Sequence, residues 1–187
     1  NLKHIEVCDF NRYTVNNLEI YDFDPSKIII SVKNTNISGL ELYYMLLNKY
    51  KIQVEMVTKD YVIAMTSICD TKEGFQRLEE ALIHIDNELY FKKSRQVYHN
   101  IKNERVLTSY ETFHKKKKEI PLCESAGKMS KEYIYLYPPG IPLIIPGELI
   151  SEELIADIKE YKELGFSLKG LPSENLNYIS VVDEEEG

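Results

Sequence analysis

Two carboxylates in this sequence have backbone settings that would hold a charge in a fixed place. Glu55 follows the apolar run Ile52-Gln53-Val54 at the end of a predicted strand, where an unpaired carboxylate is costly. It therefore needs either a cation or a solvated position on a strand at the sheet edge. Glu148 closes the run Tyr137-Pro138-Pro139-Gly140-Ile141-Pro142-Leu143-Ile144-Ile145-Pro146-Gly147, which contains four of the chain's seven prolines. Proline fixes φ and removes a donor, while Gly140 and Gly147 allow angles that other residues resist, so this run is a rigid, non-helical path. Its apolar content predicts that it is buried. Such a path is either an architectural wall or a holder for one charge. A helix predicted to start at Ser151 puts Glu148 near a helix amino terminus, where the dipole favours an anion. The favoured reading is that Glu148 ties down the Pro-Gly turn and the following helix. Tyr137, at the head of the run, could line an entrance, although a tyrosine there more often packs its ring and satisfies its hydroxyl.

The other reactive residue types form no constellation. Thr112-Phe113-His114-Lys115 places a lysine beside a histidine, a pairing that could serve Schiff-base chemistry. Lys115 nevertheless opens the run Lys115 to Lys118 and has no apolar stretch after it to desolvate an amine, so the segment reads as a solvated helix face. On a helix the four lysines point in four directions and form no single basic patch. His4, His84, His99 and His114 are scattered, and Cys8, Cys69 and Cys123 have no C-x-x-C spacing, so no metal and no disulfide framework is assigned. A reducing cytoplasm fits this cysteine usage. No glycine-rich phosphate loop is present. A net charge of −7 argues against generic nucleic-acid binding, which draws on clustered basic charge. No apolar stretch approaches the roughly 20 residues a membrane helix needs, and no signal core is visible, so neither membrane spanning nor secretion is expected.

The elements that position these residues follow from periodicity and caps. Lys27 to Val32 is a β-branched strand, and Ser38 with Glu41 forms a capping box that opens a helix running to Tyr50. Gln53 to Val57 and Tyr61 to Ser67 read as a hairpin across the polar turn Thr58-Lys59-Asp60. Asp70 with Glu73 resembles a second capping box, for a helix that carries Phe75, Leu78, Leu82, Ile85 and Leu89 on one stripe. An exposed helix is expected around Leu107 to Lys118. Beyond it come a strand at Tyr133 to Tyr137, the proline path, and a helix from Ser151 to about Leu164 stopped by Gly165. Short strands at Ser167 to Lys169 and Tyr178 to Val182 follow, and then a solvated acidic tail from Asp183.

The motifs in the second half resemble the carboxy-terminal domain of the bacterial ornithine/lysine/arginine decarboxylases, of the fold-type-I pyridoxal-phosphate class. The resemblance is carried by Pro121-Leu122, Ser125-Ala126-Gly127-Lys128-Met129-Ser130, Tyr137-Pro138-Pro139-Gly140-Ile141-Pro142, Pro146-Gly147-Glu148 and Lys169-Gly170. The first half is similar to the end of the family's aminotransferase-like region, through Asp24-Pro25-Ser26-Lys27, Ser38-Gly39-Leu40-Glu41, Ile52-Gln53-Val54-Glu55 and Asp70-Thr71. The fold class implied is α+β: an aminotransferase-like small-domain sheet with helices over 1–91, a helical connection over 92–120, and a smaller α+β carboxy-terminal domain over 121–187.

The resemblance also implies a function. Family members convert ornithine, lysine or arginine to an amine and carbon dioxide, using pyridoxal 5'-phosphate held by a Ser-x-His-Lys lysine in a large domain that precedes the matched region. The expectation is therefore a fragment with no catalytic and no cofactor-binding residue of its own, inactive alone, with no cofactor bound to it. Its partners would be the preceding cofactor-binding domain of the same chain and a second subunit in a homodimer or higher homo-oligomer. By the same resemblance Glu55 lies near the active site, where it would attract the distal cation of a basic amino acid, with Glu148 and Tyr137 as weaker substrate-side candidates. The alternative is a non-catalytic binding or regulatory module that kept the fold. An open reading frame extending upstream to a Ser-x-His-Lys motif would favour the enzyme reading.

Overall fold

A computed structural model describes residues 1–8, 22–93, 103–170, 172 and 177–183. The chain forms two compact units, Asn1–Gln96 and Val97–Gly187. His99 and the acidic tail from Glu184 lie outside the described residues.

The first unit is built on an antiparallel sheet in the order β1-β2-β4-β3, made of β1 (Glu6–Val7), β2 (Lys27–Ser31), β3 (Met56–Val57) and β4 (Tyr61–Met65). The expected hairpin is present, with Met56 opposite Ile63 and Val57 opposite Val62. β2 crosses to β4 with Lys27 opposite Met65 and Ser31 opposite Tyr61. Strand alternation puts Ile30, Val62 and Ala64 in the core. Ile29, Tyr61, Ile63 and Met65 fall on the other face, where burial is less complete.

Helix α1 (Gly39–Tyr50) starts at Ser38, and the capping box is complete. Ser38 Oγ accepts the Glu41 amide at 3.2 Å while Glu41 Oε2 accepts the Ser38 amide at 2.7 Å. The helix buries Leu42 and Leu46 and packs on β3 and β4. Glycine is required at its first position, because a Cβ at residue 39 would lie 2.4 Å from the Thr58 carbonyl oxygen. This close approach buries the turn that reads as polar in the sequence. The Gly39 amide donates to the Lys59 carbonyl and the Val32 amide to the Asp60 carbonyl, both at 2.8 Å, and both turn residues are buried.

Helix α2 (Lys72–Glu88) begins one residue later than the Asp70 pattern predicts. Thr71 is the cap, its side chain accepting the Gly74 amide, while Asp70 Oδ2 instead accepts the Ser67 amide at 2.6 Å. The helix buries Ala81, Leu82 and Ile85 on one stripe, together with Asp86.

The second unit corrects the expected connecting helix. Thr108 and Glu111 form a capping box for a helix α3 of only five residues, Ser109–Phe113. The lysine run then enters strand β5 (Lys117–Pro121), paired antiparallel with β9 (Tyr178–Val182) from Lys117 opposite Val182 to Pro121 opposite Tyr178. Two long-range effects override the helical reading. The buried Ile179, Ser180 and Val181 of β9 need their backbone groups paired, and Lys131 Nζ donates to the Thr112 and Phe113 carbonyls at the end of α3. The lysines of the strand therefore alternate between two faces, in place of the four directions of a helix.

A second sheet has the order β7-β6-β8, from β6 (Ile134–Tyr137), β7 (Ile141–Ile144) and β8 (Ser167–Lys169). The proline run thus makes the turn and outer strand of a hairpin, and only its last part is buried. Tyr137, Pro139, Gly140 and Pro142 are exposed, whereas Ile144, Pro146 and Gly147 are buried. Pro142 is tolerated because β7 is an edge strand, where a missing donor breaks no interior ladder. Helix α4 (Glu152–Glu163) is capped by Ser151, whose Oγ accepts the Leu154 amide at 3.1 Å, and it buries Leu154, Ile155 and Ile158. Gly165, at φ 81°, follows the helix as predicted.

Candidate functional site

In the first unit, Glu55 stands just before edge strand β3 and donates its own amide to the Ile63 carbonyl at 2.8 Å. Its carboxylate is not solitary. Lys27 Nζ lies 2.5 Å from Glu55 Oε2, and the two side chains are 29% and 35% exposed respectively. The same ammonium approaches Met65 Sδ at 3.1 Å, so the pair sits beside the less buried face of the sheet. Sequence reading identified that Glu55 needs a partner; it did not identify Lys27, which is 28 positions away across an intervening strand.

Glu148, in the second unit, acts on its own backbone surroundings. Its Oε2 accepts the Ile145 amide at 3.1 Å and Asn103 Nδ2 at 3.0 Å, and Asn103 Nδ2 also donates to the Leu143 carbonyl at 2.7 Å. Main-chain groups complete the junction, for the Glu148 carbonyl accepts the Ser130 amide at 2.8 Å and the Gly147 carbonyl accepts the Val106 amide at 2.9 Å. The carboxylate therefore ties the end of the proline run to Asn103, and main-chain bonds tie it to Glu104, Val106 and Leu107. The amino terminus of α4 is capped by Ser151. Tyr137 is 56% exposed at the turn end of β6. Glu55 belongs to one unit, and Glu148 and Tyr137 to the other.

Lys115 is exposed in the turn after α3. Lys131 lies close to the end of the same short helix. Burial, then the charge of Lys117, pushes its pKa below the usual lysine value, but its protons are directed at the Thr112 and Phe113 carbonyls. An ammonium committed to carbonyl acceptors does not suit an imine-forming amine, so this residue does not fit a cofactor anchor. Among the described residues no group of three or more His, Cys, Asp and Glu side chains is placed to hold a metal ion, and no helix is long and apolar enough to cross a membrane.

Sequence reading missed Asp86. On α2 it looks like one more polar position, yet it is 2% exposed and accepts the amides of Lys3, His4 and Ile5 at 2.7, 2.8 and 2.7 Å. Burial raises its pKa, but the three amide donors together with the nearby His4 charge outweigh it, and the carboxyl is held below its ordinary value. Its position on the apolar stripe, four residues after Leu82 and three before Leu89, is the signal that could have found it.

Comparison with known proteins agrees with this architecture. The family of Orn/Lys/Arg decarboxylase C-terminal domains matches residues 90–172. Arginine decarboxylase of Halalkalibacterium halodurans is 31% identical over 170 residues, covering 89% of this chain and 35% of that protein. Arginine decarboxylase of Bacillus subtilis is 31% identical over 174 residues, with the same coverages of 89% and 35%. The chain thus spans about a third of the length of the curated relatives it matches. Among solved structures, the lysine decarboxylase of Francisella novicida superposes with a TM-score of 0.64 at 22% identity, covering 87% of this chain and 31% of that one, a likeness of fold.

Proposed function

We propose that this chain, whose residues 90–172 match the family of Orn/Lys/Arg decarboxylase C-terminal domains, is the carboxy-terminal portion of a basic amino-acid decarboxylase. The observation that carries this reading is the match over both halves, 89% of the chain, to two proteins named arginine decarboxylase. Arginine is accordingly the first substrate to test, with lysine and ornithine beside it. In this reading the full-length enzyme is cytoplasmic, assembles at least as a homodimer, and releases carbon dioxide and an amine of use in polyamine synthesis.

Pyridoxal 5'-phosphate, held by a preceding domain of the full-length protein, would supply the electron sink for the bond broken as carbon dioxide leaves. The residues described here would serve around that chemistry. Glu55 offers a carboxylate to the distal ammonium or guanidinium of the substrate, with Lys27 as the resident cation that keeps the charge compensated until substrate arrives. Glu148 keeps the proline hairpin in register with Asn103. Tyr137 presents its ring at the exposed turn. The 187-residue chain alone would be inactive.

The test is carbon dioxide release from labelled arginine, lysine and ornithine by the full-length protein and by the 187-residue chain. Turnover of one of the three by the full-length protein only is the expected result. No turnover of any, with pyridoxal phosphate added, would sink the enzyme reading in favour of a non-catalytic module on the same fold.

A further inference from the structure

Lys27 and Glu55 meet through one oxygen. Lys27 Nζ lies 2.5 Å from Glu55 Oε2, and Oε1 accepts no hydrogen bond among the described residues. Both side chains are partly open to solvent, so the contact can exchange. Lys27 has two other acceptors near it. Its ammonium approaches Met65 Sδ at 3.1 Å, a weak acceptor. Its charge also reaches the exposed Asp24, whose pKa is held below the ordinary carboxyl value by hydrogen bonds from Ser26 and, more weakly, by Lys27.

These contacts give the lysine an alternative to Glu55. A second cation arriving while Lys27 stays in place would put two positive charges on one carboxylate at a partly buried position, which like-charge repulsion opposes. Exchange is the better outcome: the newcomer takes Glu55, and Lys27 turns toward Asp24 and Met65. Until then Lys27 occupies Glu55 as a tethered ligand, at an effective concentration that a free cation must match. A ligand without a distal cation meets no such competitor, because the Lys27–Glu55 pair is already neutral.

We propose that Lys27 is an internal competitor for the place of the substrate's distal cation on Glu55, a displaceable arm whose resting contact is Glu55 and whose released contact is Asp24. The inference rests on the reading of Glu55 as the carboxylate that takes that cation. Lys27 and Asp24 then position charge with opposite effects on affinity. Removing the arm favours cation binding, and removing its released contact opposes it.

In the full-length enzyme, Lys27→Met should lower the Michaelis constant for the basic amino acid that is turned over about fivefold, with kcat little changed, and Asp24→Asn should raise it about twofold. Citrulline and norleucine, neutral counterparts of arginine and lysine, should keep their inhibition constants in both variants. A constant for the basic substrate that stays or rises in Lys27→Met overturns the proposal, as does an equal shift for its neutral counterpart. An unmoved constant in Asp24→Asn overturns the role of Asp24. Glu55→Gln, measured beside them, separates the two readings. If it too leaves the constant unchanged, Glu55 is not at the substrate site; if it raises the constant while Lys27→Met does not lower it, only the competitor role falls. A second measurement decides the point even where no basic amino acid is turned over. The Glu55 carboxyl carbon resonance of the 187-residue chain, identified by its loss in Glu55→Gln, is titrated with butylguanidinium chloride against sodium chloride of equal ionic strength. The midpoint should fall about fivefold in Lys27→Met, and an equal or higher midpoint overturns the proposal.

Discussion

Asp86 Oδ1 accepts the Ile5 amide at 2.7 Å, in a buried bond that joins helix α2 to a segment 81 residues earlier in the chain. The other oxygen of the same carboxylate takes the Lys3 amide, so one side chain fixes three consecutive peptide units beside β1. Charge-assisted bonds of this kind are among the stronger ones in proteins.

Asp86→Ala should therefore destabilise the first unit by about 3 kcal/mol, because it orphans amides that the fold has withdrawn from water. The contribution depends on pH. The folded-state pKa is held below the ordinary value, so this stability is fully present above the unfolded carboxyl's pKa of about 3.9 and is lost as pH falls through the lower folded value. Urea unfolding at pH 7 and in the acid range checks both points, and the gap between wild type and variant should narrow only at the acid end.

Glycine at 147 should be far less replaceable than glycine at 140. A Cβ at residue 147 would lie 2.2 Å from the Leu107 carbonyl oxygen, on a backbone at φ 95°, whereas at residue 140 the φ of 115° is unusual but no atom lies within 4 Å. Gly147→Ala combines backbone strain with a clash and should cost about 3 kcal/mol or more, and Gly140→Ala the strain alone, about 1 kcal/mol. Thermal unfolding of the two variants side by side measures the difference.

Glu148 should prove a stability residue. Glu148→Ala removes the acceptor shared by Ile145 and Asn103 and should lower stability by about 2 kcal/mol, while Glu148→Gln, which keeps one carbonyl oxygen, should lose less than half of that. Michaelis constants of the full-length Glu148→Gln enzyme for basic amino acids should stay near the wild-type values.

Glu55 should behave in the opposite way. In the full-length enzyme Glu55→Gln should raise the Michaelis constant for the preferred basic substrate about tenfold with a smaller change in kcat, since a binding contact of about 1.4 kcal/mol is removed. Steady-state kinetics on arginine, lysine and ornithine decide it; an unchanged constant for all three removes Glu55 from the substrate site.

How much of this was legible in the sequence depended on the range of the interaction. Ser38 with Glu41 fixed the start of α1, Ser151 opened α4, Gly165 marked its end, and the β-branched runs marked β2 and β9, because caps and alternation act within a few residues. Asp70 was off by one because Thr71, next to it, can cap equally well, and packing chose between two locally similar starts. The lysine run read as helix until β9, some sixty residues later, presented a buried backbone edge that β5 had to satisfy. In the candidate site, the sequence marked Glu55 and Glu148 as carboxylates in constrained places. Only the folded chain supplied Lys27 to the first and Asn103 to the second, converted Asp86 from a polar helix position into an anchor, and pressed Gly147 against Leu107. Local propensity sets which segments are helix or strand; which distant groups meet is set by the packing of those segments, and a charge acquires its role only when that packing decides its neighbours.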